Sequence, residues 1–161
     1  MSNVNFLKLE HRIEPLRHNI KCGIVDGDDA NPAYTTDDVA VKWNAIIENP
    51  NAYKFQFVPI DNNLIIYKSN GKDKESTCDG MLLVDAKRMI AFIELKDVAR
   101  GGFPDAIGQL KNTIQHFLAN HQYDTFRNRR AYAANIAHPH FHYNMKDEME
   151  EFRGIKFILY P

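Results

Sequence analysis

Apolar and polar positions change period several times along the chain, and each change marks an element. Over residues 53–59, Phe55 and Phe57 alternate with Lys54 and Gln56, the two-residue period of a half-buried strand. Residues 64–67 follow a polar Asp61-Asn62-Asn63 turn and read as another short strand. Residues 78–85 and 89–96 are nearly continuous apolar runs, as expected of strands covered on both faces. After Gly101-Gly102 the period lengthens. Ile107, Leu110, Ile114, Phe117 and Leu118 predict an amphipathic helix over 104–121, with Pro104 in its first turn. Residues 130–137 and 155–160 read as two further strands. Nearer the start, Phe6, Leu7, Leu9 and Ile13 suit a short helix ended near Pro15. Residues 19–25 suit a strand, followed by the acidic turn Asp26-Gly27-Asp28-Asp29. Thr35 or Thr36 reads as an N-cap, with Asp37 and Asp38 at the positive end of a helix dipole. Val39, Val41, Trp43, Ile46 and Ile47 then predict a helix over 36–48, stopped by Asn49-Pro50. The order helix, strands, helix, strands defines a mixed α/β class.

The 161 residues leave room for one domain, 1–161. A formal net charge of −1 excludes a basic surface over the whole molecule, although not a local basic cleft. The longest apolar runs, such as Met81-Leu82-Leu83-Val84, are too short to cross a bilayer, and the first residues lack the pattern of a signal peptide. Cys22 and Cys78 are the only cysteines, which suits a reduced, cytoplasmic protein; a single disulfide is the other reading.

The chemistry concentrates in residues 78–96. Read as a hairpin, with a two-residue loop at Ala86-Lys87 or a four-residue loop over 85–88, opposed residues have numbers summing to 173. Asp79 then faces Glu94, with Cβ atoms roughly 5 Å apart. Alternation places Lys96 on the same face, with Met81, Leu83, Ile90 and Phe92. Two facing carboxylates among apolar neighbours destabilise a sheet unless a cation compensates them or a pKa rises. Mg²⁺, which takes a few carboxylates and keeps places for water and phosphate, supplies such compensation.

Asp79, a hairpin, Glu94-Leu95-Lys96 and a following helix together resemble the PD-(D/E)XK nuclease superfamily, with Cys78 in place of the eponymous Pro. The resemblance covers about residues 36–137. It implies a restriction-endonuclease-like fold, a three-layer αβα core with a central mixed sheet flanked by helices. On that pattern the core comprises helix 36–48, strands near 64–68, 78–85 and 89–96, helix 104–121 and strand 130–137. It further implies Mg²⁺ or Mn²⁺ held by Asp79, Glu94 and the Leu95 carbonyl, with Lys96 orienting or activating the attacking water. Glu48 on the first core helix and Gln109 on the second would be auxiliary. The implied activity is phosphodiester hydrolysis of nucleic acid, DNA first, in phage defence, restriction or repair. A homodimer is one way to add specificity. The alternative is a module that keeps the fold and binds nucleic acid or protein without catalysis.

Two further features stand beside this constellation. His138, His140 and His142 alternate around Pro139 and read either as a solvated loop or as ligands for a transition metal. Arg100, Lys111, Arg127, Arg129 and Arg130 are candidates for phosphate contact, with Tyr123, Phe126 and Tyr132 close enough in sequence to stack on bases.

Overall fold

A computed structural model describes residues 3–96, 103–135 and 146–160. Three short strands come first: β1 (Lys21–Val25), β2 (Tyr34–Thr36) and β3 (Ala45–Glu48). They form an antiparallel sheet in the order β2-β1-β3. The chain then builds β4 (Phe55–Pro59), β5 (Gly80–Val84), β6 (Met89–Lys96), α1 (Phe103–Asn120), β7 (Asn128–Asn135), α2 (Lys146–Gly154) and β8 (Ile158–Tyr160). Here β4, β5 and β6 are an antiparallel meander, and β7 and β8 extend it in parallel to β6. The protein is thus mixed α/β, with a five-stranded mixed sheet at its centre. Among the described residues, no helix is long and apolar enough to cross a membrane.

Alternation along the central strands divides the core in two. Val58, Met81, Leu83, Ile90 and Phe92 face α1 and α2, where Phe6, Phe117, Phe152 and Phe157 are fully buried. Edge-to-face contacts of Phe92 with Phe6, Phe117 and Phe157 lock this layer, and truncating one such ring costs roughly 3–5 kcal/mol. Phe55, Phe57, Leu82, Ala91, Ile93 and Leu95 face the other way, against Cys22 and Ile24 of the small sheet. Both cysteines are free and buried, so no disulfide forms.

The helix expected over 36–48 is absent, and a layer of strands stands where the second helical layer was expected. The cause is long-range. Gly23 on β1 leaves a space that the Trp43 indole fills, so close that a Cβ at Gly23 would lie 2.2 Å from the ring. Trp43 Nε1 donates to the Asp38 carbonyl and Asn44 N–H to the Ile24 carbonyl, which draws the β-branched pair Ile46-Ile47 alongside β1 as a strand. The apolar stripe is spent elsewhere, and Val39 is 87% exposed.

Two other expectations are corrected, and one helix was missed. Near the N-terminus only one turn of 3₁₀ helix, Leu9–His11, forms. Residues 64–67 join neither sheet: Leu64 and Ile66 are buried under α1, and pairing is limited to a bridge between Tyr67 and Lys74. The first strand of the meander is therefore β4, and residues 60–79 form an excursion between β4 and β5. Finally, α2 was not legible from periodicity, because Met149 and Phe152 are its two apolar core contacts.

Candidate active site

The hairpin register is as expected. Gly80 pairs with Ile93, Met81 with Phe92 and Leu82 with Ala91, and the connection is the four-residue loop over 85–88. Asp85 and Ala86 take positive φ there, which tightens the turn. One step beyond the ladder, Asp79 and Glu94 interlock. Asp79 N–H donates to Glu94 Oε2 at 3.2 Å, and Leu95 N–H donates to Asp79 Oδ2 at 2.6 Å. Glu94 Oε1 lies 2.9 Å from Lys96 Nζ. In an extended strand a residue's N–H and C=O point to the same edge, so the Leu95 carbonyl is also directed to the Asp79 side.

Gly80 is the residue that permits this approach. A Cβ there would lie 2.2 Å from the Phe57 ring, so only glycine lets β5 start flat against β4 beside Asp79. The segment leading into Asp79 is gripped by α1. Gln109 Nε2 donates to the Thr77 carbonyl, Asn112 Nδ2 to the Ser76 carbonyl and Glu75 Oε2, and Cys78 N–H to Thr113 Oγ1. One turn further, buried His116 approaches Glu75 at 3.4 Å. Helical spacing thus turns one polar edge of α1 into a clamp on residues 75–78.

Burial governs the electrostatics. Glu94 is 2% exposed, and desolvation, followed by the neighbouring Asp79 charge, pushes its pKa up to about 8. Asp79 is pushed up to about 6, chiefly by desolvation and against the opposing Leu95 hydrogen bond. Desolvation also works against the Lys96 charge, but its hydrogen bond to Glu94 and the fields of Glu94, Asp79 and Asp105 outweigh it. The ammonium is held above its ordinary value. Asp26 and Asp61 act on the same site: both raise Asp79, and Lys96 in turn lowers Asp26, whose own pKa is raised chiefly by desolvation.

Glu48, expected beside this pair, is not brought to it. That residue is exposed on β3 and lines a cleft of about 460 Å³ between the two sheets, with Arg130 and Tyr132. Pairing of Lys21 with Glu48 puts it at the opposite end of β1 from Asp26. With no first helix to carry an acid inward, Asp26 just after β1 and Asp61 just after β4 are the acids that reach this end. Both were visible as acids following apolar strands, but the end of the molecule they share depends on the pairing. Gln109 does flank the site: it lines a cleft of about 540 Å³ with Lys96, Ser76, Asp105 and Asn112. Its Oε1 is buried without a hydrogen-bond partner among the described residues.

Most of the basic candidates lie elsewhere. Because β6 and β7 are parallel, Arg129 and Arg130 sit beside Ile90 and Ala91, at the end of β6 away from Glu94, with Arg127 just before them. Arg129 is engaged by the Phe126 and Lys156 carbonyls, and Lys111 pairs with Glu151 at 2.5 Å. Arg100 and the His138, His140 and His142 array lie outside the described residues.

A divalent cation fits the donor chemistry in one respect. Two hard carboxylates have raised pKa values, and the second cause for Glu94 is the Asp79 charge, so a cation would relieve both. Among the described residues, no three His, Cys, Asp or Glu side chains gather closely enough to form a metal site by themselves. The remaining ligands would be backbone carbonyl and water. The chain matches no protein-family model, no curated protein and no solved structure.

Proposed function

We propose that this protein is a divalent-metal-dependent nuclease with a variant of the PD-(D/E)XK, restriction-endonuclease-like fold. One observation carries the reading: a desolvated Asp79–Glu94 pair at the open end of a sheet, with Lys96 2.9 Å from Glu94. The order three strands, helix, further strand around a mixed sheet supports it, since that part of the implied order is present, although the first helix is not.

Asp79, Glu94 and the Leu95 carbonyl would hold Mg²⁺ or Mn²⁺. Bound there, the cation supplies charge neutralisation at the scissile phosphodiester and a lowered pKa for water. Lys96, held protonated, donates hydrogen bonds toward the water and the developing negative charge, so its part is orientation and electrostatics. Gln109 Oε1 offers an acceptor beside Lys96 for a water proton.

The test is cleavage of plasmid and single-stranded DNA with Mg²⁺, with Mn²⁺ and with EDTA. Metal-dependent cleavage lost in Glu94→Gln supports the proposal; no cleavage in either metal sinks it. The second reading, a binding module without catalysis, is favoured by the separation of the arginines from the carboxylates.

A further inference from the structure

Cations from four separate segments converge at the end of the sheet opposite Asp79 and Glu94. Backbone hydrogen bonds tie them together. Asp85 N–H donates to the Lys54 carbonyl, Arg127 N–H to the Lys87 carbonyl and Asn128 N–H to the Arg88 carbonyl. The Arg129 guanidinium meets the Lys156 carbonyl at 2.9 Å. Lys54, Lys87, Arg127 and Lys156 are all exposed. The acids nearby are Asp85, which pairs with Arg88 at 3.3 Å, together with Asp124 and Glu48. A chain of net charge −1 therefore carries a locally positive end.

Three of these arginines share an arrangement. The guanidinium of Arg88 lies 4.2 Å from the centre of the Tyr53 ring, Arg129 lies 5.2 Å from Tyr123, and Arg130 lies 5.5 Å from Tyr160. Each tyrosine holds a half-buried planar cation beside its ring, and a guanidinium plane can stack on an unpaired base. Arg129 shares the face of Ile90 and Arg130 that of Ala91, so these cations flank the sheet end from both faces. A lipid surface or an acidic protein would use the charge without needing the planes. Planar guanidinium groups together with exposed cations match the requirements of a single strand, which needs both stacking partners for bases and charges for phosphates.

We propose that this end of the sheet is a binding surface for single-stranded nucleic acid, roughly 10–20 Å along β6 from the carboxylates. It does not depend on catalysis, so it is tested in EDTA and with the Glu94→Gln protein, whether or not cleavage is found. The probe is a fluorescent oligothymidylate of about twenty nucleotides, followed by anisotropy over a salt series. Lys87→Gln/Arg127→Gln, at two exposed side chains, should weaken binding about tenfold or more and lower the salt slope by roughly one to two. Arg88→Lys keeps the charge and removes the plane. It should weaken binding of the oligothymidylate severalfold and leave an abasic strand of equal length unaffected. Wild-type affinity and slope in the double variant would overturn the proposal. So would equally tight binding of phosphatidylserine vesicles or duplex DNA, because the surface would then recognise charge alone.

Discussion

Strand β6 begins among arginines and, near its far end, carries Glu94 against Asp79, and the two ends treat charge in opposite ways. At Glu94 the side chain is buried, and its carboxylate accepts from Asp79 N–H while the Asp79 carboxylate accepts from Leu95 N–H. At Met89 the neighbouring cations are exposed or only half-buried, and three of them, Arg88, Arg129 and Arg130, lie against tyrosine rings. Buried like charges change their protonation or require a counter-ion, so the acid end is costly without a ligand. Exposed cations keep their hydration and are screened by salt, so the basic end is stable alone and still able to bind. The same sheet thus separates the proposed cation site from the proposed nucleic-acid surface.

The largest expected effects break the acid end. Asp79→Asn and Glu94→Gln should each abolish Mn²⁺ binding measured by calorimetry and lower metal-dependent cleavage by at least about 10³-fold. Both proteins should remain folded and gain stability in EDTA at high pH, since each relieves the repulsion. Lys96→Ala should lower the single-turnover rate by on the order of 10²–10³ while Mn²⁺ affinity survives. A wild-type rate would reduce Lys96 to a counter-ion for Glu94.

The pH dependence sharpens the comparison. Glu94 and Asp79 have folded pKa values raised to about 8 and about 6, so the folded state holds more protons than the unfolded state from near pH 4 upward. Metal-free stability should therefore fall as pH rises through this range and level off above about pH 8. For buried Glu94, raised from 4.5 to about 8, the loss is on the order of 5 kcal/mol. Thermal denaturation in EDTA at several pH values should show this slope, saturating Mn²⁺ should remove it, and Glu94→Gln should flatten it. The smallest effect concerns the clamp. Thr113→Val leaves the buried Cys78 N–H without its acceptor, which should cost about 1–3 kcal/mol. Cleavage should fall with it if the clamp positions Asp79, whereas a loss of stability alone would make the contact purely structural.

What was legible in the sequence follows the range of the interactions. The Asp79–Glu94 register could be read because loop parity and strand alternation are local. The long helix could be read because its apolar stripe has one period along α1. The segment 36–48 could not. Its apolar spacing suits a helix, but the space over Gly23 that Trp43 fills exists only once β1 is in place. Glu48 was misplaced for the same reason, and Asp26 and Asp61 were passed over because their convergence depends on which ends of β1 and β4 lie together. The basic residues were visible, whereas their distance from the acids follows from the parallel pairing of β7 with β6.

The thiol that stands where the resemblance expects a proline has a use of its own. Cys78 is wholly buried, its N–H is bound by Thr113, and desolvation and the Glu94 charge keep its sulfur protonated. An alkylating reagent can meet it only when the grip of α1 on residues 75–78 lets go. Cys22, equally buried in the opposite layer, supplies an internal reference. The ratio of the two labelling rates therefore acts as a clock for local opening beside Asp79, independent of any substrate. A cation that draws the carboxylates together should slow Cys78 and leave Cys22 unchanged.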